Sequence, residues 1–224
     1  MSSLPLFAGY GASGYGREVM PLAREQIDIS GLPADRLIFV DDTSAANNLN
    51  GHRVLTYNEF LTVEATDRFI ALAIANTLTR VMLAAKCDRD GVKPWSVRAH
   101  NAVVLDSVEI GEGVILCPFV TLTSNIRIGR HFHANIYSYV AHDCEIGEFV
   151  TFAPGVHCNG NVIVEDHAYV GAGAILRNGQ PERPLVIGRG AVVGMGAVVT
   201  KNVPSGATVV GNPARVLNKP SEGT

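Results

Sequence analysis

Apolar and polar positions along this chain follow two different rhythms. Up to about residue 95, short apolar runs alternate with stretches of helical spacing. "LPLFAGYG" is an apolar strand running into a glycine-rich turn, and the residues after it place Val19, Leu22, Ala23 and Ile27 on one helix face. Pro21 falls early enough in that helix to be accommodated, with some disturbance of its first turns. "RLIFVDD" reads as a buried strand ending on two carboxylates, and "RFIALAIA" as another strand. The next segment predicts a helix capped by Asn76 or Thr77, with an inward stripe of Leu78, Val81, Met82 and Ala85 and a stop at Gly91. Together these make a small βαβαβ unit around a parallel sheet.

Beyond "KPWSVRAHN" the helical spacing disappears and every sixth residue is apolar. The series runs from Val104 through Ile110, Leu122 and Val140 to Leu176, thirteen positions without a break. A second series, four residues on, runs from Val114 to Ala174 and is nearly all small or aliphatic. Two inward positions in six cannot come from one long alternating strand. They suit short strands separated by corners. Three hexads then make one triangular coil, and stacked coils lie roughly 4.8 Å apart. Glycine follows the first position at Gly111, Gly129, Gly147, Gly171, Gly188 and Gly194, where it is expected to ease the backbone near a corner. The repeat predicts a parallel β-helix. It breaks once, at residues 177–185 ("RNGQPERPL"), and resumes at Ile187, Val193 and Val199. The break reads as a loop leaving the prism, either toward a ligand or neighbouring subunit or as a plain surface insertion.

Length and charge narrow the function. The 224 residues suffice for one large domain or two small ones. A net charge of −3 argues against nucleic-acid binding, which needs a basic stripe. No apolar run reaches the length of a membrane span, and no signal peptide precedes the first strand. The four cysteines, Cys87, Cys117, Cys144 and Cys158, form no C-x-x-C pair. Free thiols in a reducing, cytoplasmic setting are the expectation.

Three groups of residues carry possible chemistry. His142 and Asp143 stand together in "SYVAHDC". Val140 points inward, so His142 takes the outward third place of its hexad, and no packing demand explains it. The pair is either a solvated histidine and aspartate or a base and the group that holds it. A histidine with pKa near 6.5 can take a proton at neutral pH, and such help is worth about 10²–10⁴-fold. Cys144 falls inward and reads as a buried small hydrophobe rather than a nucleophile. His131, His133, His157 and His167 lack metal-ligand spacing, so no metal is expected. Finally, Gly9, Gly11 and Gly14 form G-x-G-x-x-G between a strand and a helix. By pattern alone this suggests a dinucleotide site, with Asp41 on a ribose.

The hexads, "SYVAHDC", "CNGNV" and the terminal "GNPAR" together resemble the left-handed β-helix acyltransferases that act on sugars, a group that includes the bacillosamine-pathway and perosamine N-acetyltransferases and the sialic acid O-acetyltransferases. The resemblance covers nearly the whole chain and implies the coil's handedness. It implies a Rossmann-like nucleotide-sugar domain at residues 1–95, a left-handed β-helix at 96–217 and a tail at 218–224. It implies a homotrimer with acetyl-CoA bound between neighbouring prisms. It makes His142 the general base and Asp143 its partner. Asn135, Gly160, Gly171, Ala172, Gly194 and Met195 align with coenzyme contacts. Gly9, Gly11, Ser13, Gly14, Tyr15, Asp41, Asp42 and Arg80 fall to the nucleotide sugar, whose diphosphate would meet N–H groups at the helix start. The implied reaction is acetylation of an amino group on a nucleotide-linked deoxyamino sugar for surface glycan synthesis. One departure concerns the acceptor: N-acetylating members usually carry "GHG" where this chain has Tyr15 in "GYG". Tyrosine is a poor base near neutral pH, so O-acetylation, as of sialic acid, is the alternative, with a non-catalytic sugar-nucleotide-binding trimer as the rival outside enzymology.

Overall fold

The computed structural model describes residues 4–217, so the expected tail at 218–224 lies outside the described residues. The chain forms two compact units: Met1–His100 with Glu112–Cys117, and Asn101–Gly111 with Pro118–Thr224.

In the first unit the strands are β1 (Leu6–Tyr10), β2 (Leu37–Val40), β3 (Asn48–Leu49), β4 (His52–Leu55), β5 (Arg68–Leu72) and β6 (Lys93–Pro94). They order as β3-β4-β2-β1-β5-β6, parallel throughout except for the β3–β4 pair. The helices are α1 (Gly14–Ile29), α2 (Tyr57–Thr62) and α3 (Thr77–Arg89). The β3–β4 hairpin and α2 add to the expected βαβαβ. They are too short for periodicity to reveal, although Thr56 and Glu59 make a full capping box for α2. Helix α1 runs through Pro21 and buries Val19, Met20, Ala23 and Ile27 against Leu37 and Phe39 of β2. Helix α3 is capped by Asn76, whose Oδ1 accepts from Thr79 N, and ends before Gly91 at φ +70°.

The inward stripe expected for α3 is wrong. Leu78 and Met82 are exposed, and the buried face carries Arg80, Ala84 and Cys87. The Arg80 guanidinium hydrogen-bonds the carbonyls of Ile74 and Ala75. That bonding turns the helix about its axis away from the face with the greater apolar area.

The second unit is a stack of parallel strands two or three residues long. One face is built from Val103–Val104, Thr121–Leu122, Tyr139–Val140, His157–Cys158, Ile175–Leu176 and Val198–Val199. A second carries Val108–Ile110, Ile126–Ile128, Glu145–Ile146, Val162–Val164 and Leu185–Ile187. The third includes His133–Ala134, Thr151–Phe152, Tyr169–Val170 and Val192–Val193. Coil neighbours stand 18 residues apart, as Val140 does from Leu122 and Cys158. Past residues 177–185 the spacing widens to 23, with Leu176 beside Val199. Residues 177–184 therefore form a loop outside the coil, whereas Leu185, expected in the break, pairs with Val162 and is buried with Ile187, Val193 and Val199. Val140, Phe152, Val170 and Leu176 are almost wholly buried, each such side chain worth about 1.5–3 kcal/mol. Val104 and Ile110 are only partly covered, because they lie in the outermost strands of their faces.

The glycines do a different job from the one expected. A Cβ at Gly111, Gly129 or Gly147 would stand 2.6–2.7 Å from a backbone nitrogen of the next coil, so these residues permit coil-to-coil approach. The corners lie two residues further on, where Ser107, Gly113, Phe119, Asn125, His131, Tyr137, Asp143 and Phe149 adopt φ between 54° and 68° at six-residue intervals.

Candidate active site

One corner column of the prism is polar: Ser107, Asn125, Asp143 and Asn161 stand one coil apart, each with positive φ. Asn, Asp and Ser side chains can bond locally, and Asn and Asp tolerate this backbone region better than most residues. The turn at Asp143, φ +58°, brings together two adjacent side chains that a straight strand would send to opposite faces. His142 Nδ1 lies 2.7 Å from Asp143 Oδ2. Asn125 Nδ2 donates to the other oxygen, Oδ1, at 3.2 Å. The hydrogen bond from His142 first, and then that from Asn125, hold the Asp143 carboxyl below its ordinary range. With Nδ1–H donated to the carboxylate, Nε2 keeps its lone pair. The imidazole side chain is 60% exposed. It rests on Gly160, one coil later, where a Cβ would stand 2.5 Å from Cε1 and 2.6 Å from Nε2.

Cys144 turns away into the prism. It is buried, its thiol donates to the Asn159 carbonyl at 3.1 Å, and its sulfur accepts from Val162 N. Among the described residues no cluster of metal-binding side chains occurs.

The residues aligned with coenzyme contacts divide between two edges. Gly160 shares the edge of His142. Asn135, Gly171 and Gly194 belong to another, in one register marked by Asn135 N bonding Phe152 O, Gly171 N bonding Val193 O and Gly194 N bonding Val209 O. Ala172 and Met195 flank that register and are exposed, Met195 by 82%. A Cβ at Gly171 would meet Met195 N at 2.6 Å, so that glycine also answers a stacking demand. Asn135 Nδ2 is bound to the Phe152 carbonyl at 2.8 Å.

In the first unit, the turn after β1 is built by three contacts. Gly11 adopts φ +110° and donates its N–H to Val40 O. Gly16, which the motif does not single out, has its Cα so near the Gly11 carbonyl that no side chain fits. Ala12 N donates to Asp41 Oδ2 at 2.8 Å. Asp41 Oδ1 accepts from Thr43 N, Thr43 Oγ1 and Ser44 N. Burial would raise its carboxyl, but these bonds hold it below the ordinary range. Asp42 accepts from the Tyr10 hydroxyl at 2.5 Å and from Tyr57 N at 2.8 Å, with Lys86 nearby. Ser13 is the N-cap of α1 with no side-chain capping bond, and with Gly14 it is exposed at the helix start.

Two expected substrate contacts have their polar groups buried. Tyr15 does not turn its hydroxyl outward: the oxygen is buried beside Cys117, and burial pushes its pKa well up. Arg80 is fully buried, and that burial lowers its guanidinium to about 10. It supports the loop carbonyls from beneath. Asn125, which bonds the Asp143 carboxylate, is a residue of this corner that sequence reading missed. Its signal was its place 18 residues before Asp143.

No protein-family model matches the chain. In sequence it is 50% identical over 214 residues to the GDP-perosamine N-acetyltransferase of Escherichia coli O157:H7, covering 96% of this chain and 97% of that protein. In structure it is similar to WeeI from Acinetobacter baumannii AYE, at 55% identity and TM-score 0.93 over 95% of this chain and 100% of that one. It is also similar to the acetyltransferase domain of PglB from Neisseria gonorrhoeae FA1090 in complex with acetyl coenzyme A, at 27% identity and TM-score 0.82 over 96% and 100% of the two chains. Stacked parallel sheets of this kind fit a left-handed β-helix, and with these relatives they define an acetyl-CoA-dependent acyltransferase. More narrowly, the chain belongs to the left-handed β-helix sugar acyltransferase family, among its nucleotide-sugar N-acetyltransferases. No helix among the described residues is long and apolar enough to cross a membrane.

Proposed function

We propose that this enzyme acetylates the amino group of a GDP-linked amino sugar of the perosamine type, with His142 as general base. The observation that carries the mechanism is the exposed His142 imidazole, bonded to Asp143 through Nδ1 at 2.7 Å. Nε2 accepts the proton that the attacking amine sheds as it bonds to the thioester carbonyl. Asp143 fixes the tautomer and stabilises the imidazolium, and Asn125 fixes Asp143. The same proton then returns to the departing thiolate of coenzyme A. No acyl-enzyme is required, in keeping with the inward turn of Cys144. Half-sequence identity to a GDP-perosamine N-acetyltransferase supports the acceptor.

In this reading the first unit is a Rossmann-like domain. The turn at Gly9, Gly11, Ser13 and Gly14 receives the diphosphate on uncapped N–H groups of α1, with Asp41 and Asp42 beside the nucleoside. The active assembly is a cytoplasmic homotrimer. Its support is the division of the coenzyme residues over two prism edges, which a single ligand can join by lying between protomers. Release of free thiol from acetyl-CoA with GDP-perosamine tests the reading. Turnover with that sugar nucleotide is expected. Turnover only with a free or UDP-linked sugar, or acetylation of a hydroxyl, overturns it.

A further inference from the structure

The glycine shelf under the His142 ring hangs from the same coil that carries the ring. Asn161 N donates to His142 O at 3.0 Å. The Cys144 thiol donates to the Asn159 carbonyl at 3.1 Å. A further bond joins two side chains: the Tyr139 hydroxyl donates to Asn159 Oδ1 at 2.8 Å. The segment around Gly160 is thus fastened by residues on both sides of His142 as well as by its carbonyl. The coil repeat explains the first bond, which is a rung of the ladder. It does not explain the last. Tyr139 and His157 face each other in adjacent strands, and their rings stack with centroids 5.0 Å apart. That stack carries the hydroxyl onto the next coil, where it reaches Asn159.

Asn159 is also held from the far side. Its backbone N and its Nδ2 both donate to Leu176 O, at 3.2 and 2.7 Å. Asn135 makes the same two bonds to Phe152 O, at 3.0 and 2.8 Å, so an asparagine in this place is a coil-to-coil clamp. With Nδ2 on a carbonyl, Oδ1 is the atom turned to the tyrosine. One side chain therefore ties the shelf to the coil before it and the coil after it. The imidazole side chain is 60% exposed and rests on Gly160, so its height follows the shelf.

We propose that Tyr139 and Asn159 are positioning residues for acetyl transfer: their hydrogen bond sets the height of Gly160 and, through it, the place of His142 Nε2 against the acceptor amine. The inference rests on the reading of His142 as the base and adds what holds the ring in line.

Kinetics of the intact enzyme with acetyl-CoA and GDP-perosamine, run in two backgrounds, test this. Tyr139→Phe keeps the stacked ring and removes only the hydroxyl. Its kcat should fall on the order of tenfold, short of the 10²-fold that a full 1 Å misplacement can cost. Both KM values should stay within about twofold, since only the reacting geometry is disturbed. Asn159→Ala should lose at least as much, and adding Tyr139→Phe to it should change nothing more, because the two act as one unit. In the His142→Asn background Tyr139→Phe should leave the residual rate where it was, there being no ring to place. A merely structural role would lower the rate by the same factor in both backgrounds, and a substrate contact would raise KM; either result overturns the proposal, as does full kcat in Tyr139→Phe. The imidazole nitrogen NMR signals of His142 should move in Tyr139→Phe, and unmoved signals would also overturn it. An undiminished rate in His142→Asn alone sinks the base reading; the NMR signals, which need no turnover, still decide whether the bond places the ring.

Discussion

Asp41 in the helix-bearing unit and Asp143 in the prism both follow a strand, and hydrogen bonds lower the carboxyl pKa of both. Their partners differ. Asp41 accepts from three backbone N–H groups and one hydroxyl of its own neighbourhood. Asp143 bonds an imidazole and a side-chain amide, both exposed. A carboxylate satisfied by backbone shapes a loop. One satisfied by a titratable ring sets that ring's proton and direction. Residue type and a lowered pKa do not separate the two roles; the identity of the donors does.

The sharpest break of this contrast is His142→Asn. Turnover should fall about 10²–10⁴-fold while the melting temperature and coenzyme affinity stay near wild type, since the ring is mostly solvent-exposed. Unchanged kcat would reduce the corner to a solvated pair.

Gly160→Ala should come next. Its methyl would displace the imidazole, and a shift of this size costs on the order of 10–10²-fold in kcat. Coenzyme KM should change less than kcat. The reverse split would return Gly160 to a coenzyme contact alone.

Asp41→Ala tests the other side. Loss of the acceptor for Ala12, Thr43 and Ser44 should lower stability by about 1–3 kcal/mol, read by denaturant melts, with kcat for saturating substrates little changed. The folded carboxyl sits below the usual value near 3.9. Its stabilisation is therefore complete above that value and is lost as pH falls through the lowered one. Wild type and variant should converge in strongly acid solution; a gap that persists there would place the effect elsewhere.

Tyr15→Phe should do least. The hydroxyl is buried beside Cys117, so kcat should stay within about twofold, against the 10²-fold or greater loss expected of a base. A large fall in kcat with normal stability would reinstate Tyr15 at the acceptor.

Much of this was readable from the residues in order. Thirteen apolar hexad positions can be satisfied together only by stacked three-sided coils, so the prism, its 18-residue spacing and the outward place of His142 followed from period alone. The same period pointed to Asn125, had it been carried one coil back from Asp143. Helix α3 shows the limit. Leu78, Val81, Met82 and Ala85 have the better apolar spacing, yet Arg80 faces in because two loop carbonyls need its guanidinium. Periodicity scores transfer free energy along one helix and cannot register hydrogen bonds owed by another segment.

The amino-acid order settles the coil and which residues face out of it, because burial of a repeating aliphatic series is a local, additive demand. It does not settle that Asp143 bends back onto His142, that Gly160 lies under the ring, or that Tyr15 turns inward. Those depend on a positive φ and on contacts between residues a full coil or more apart, where backbone direction, rather than residue type, decides what meets.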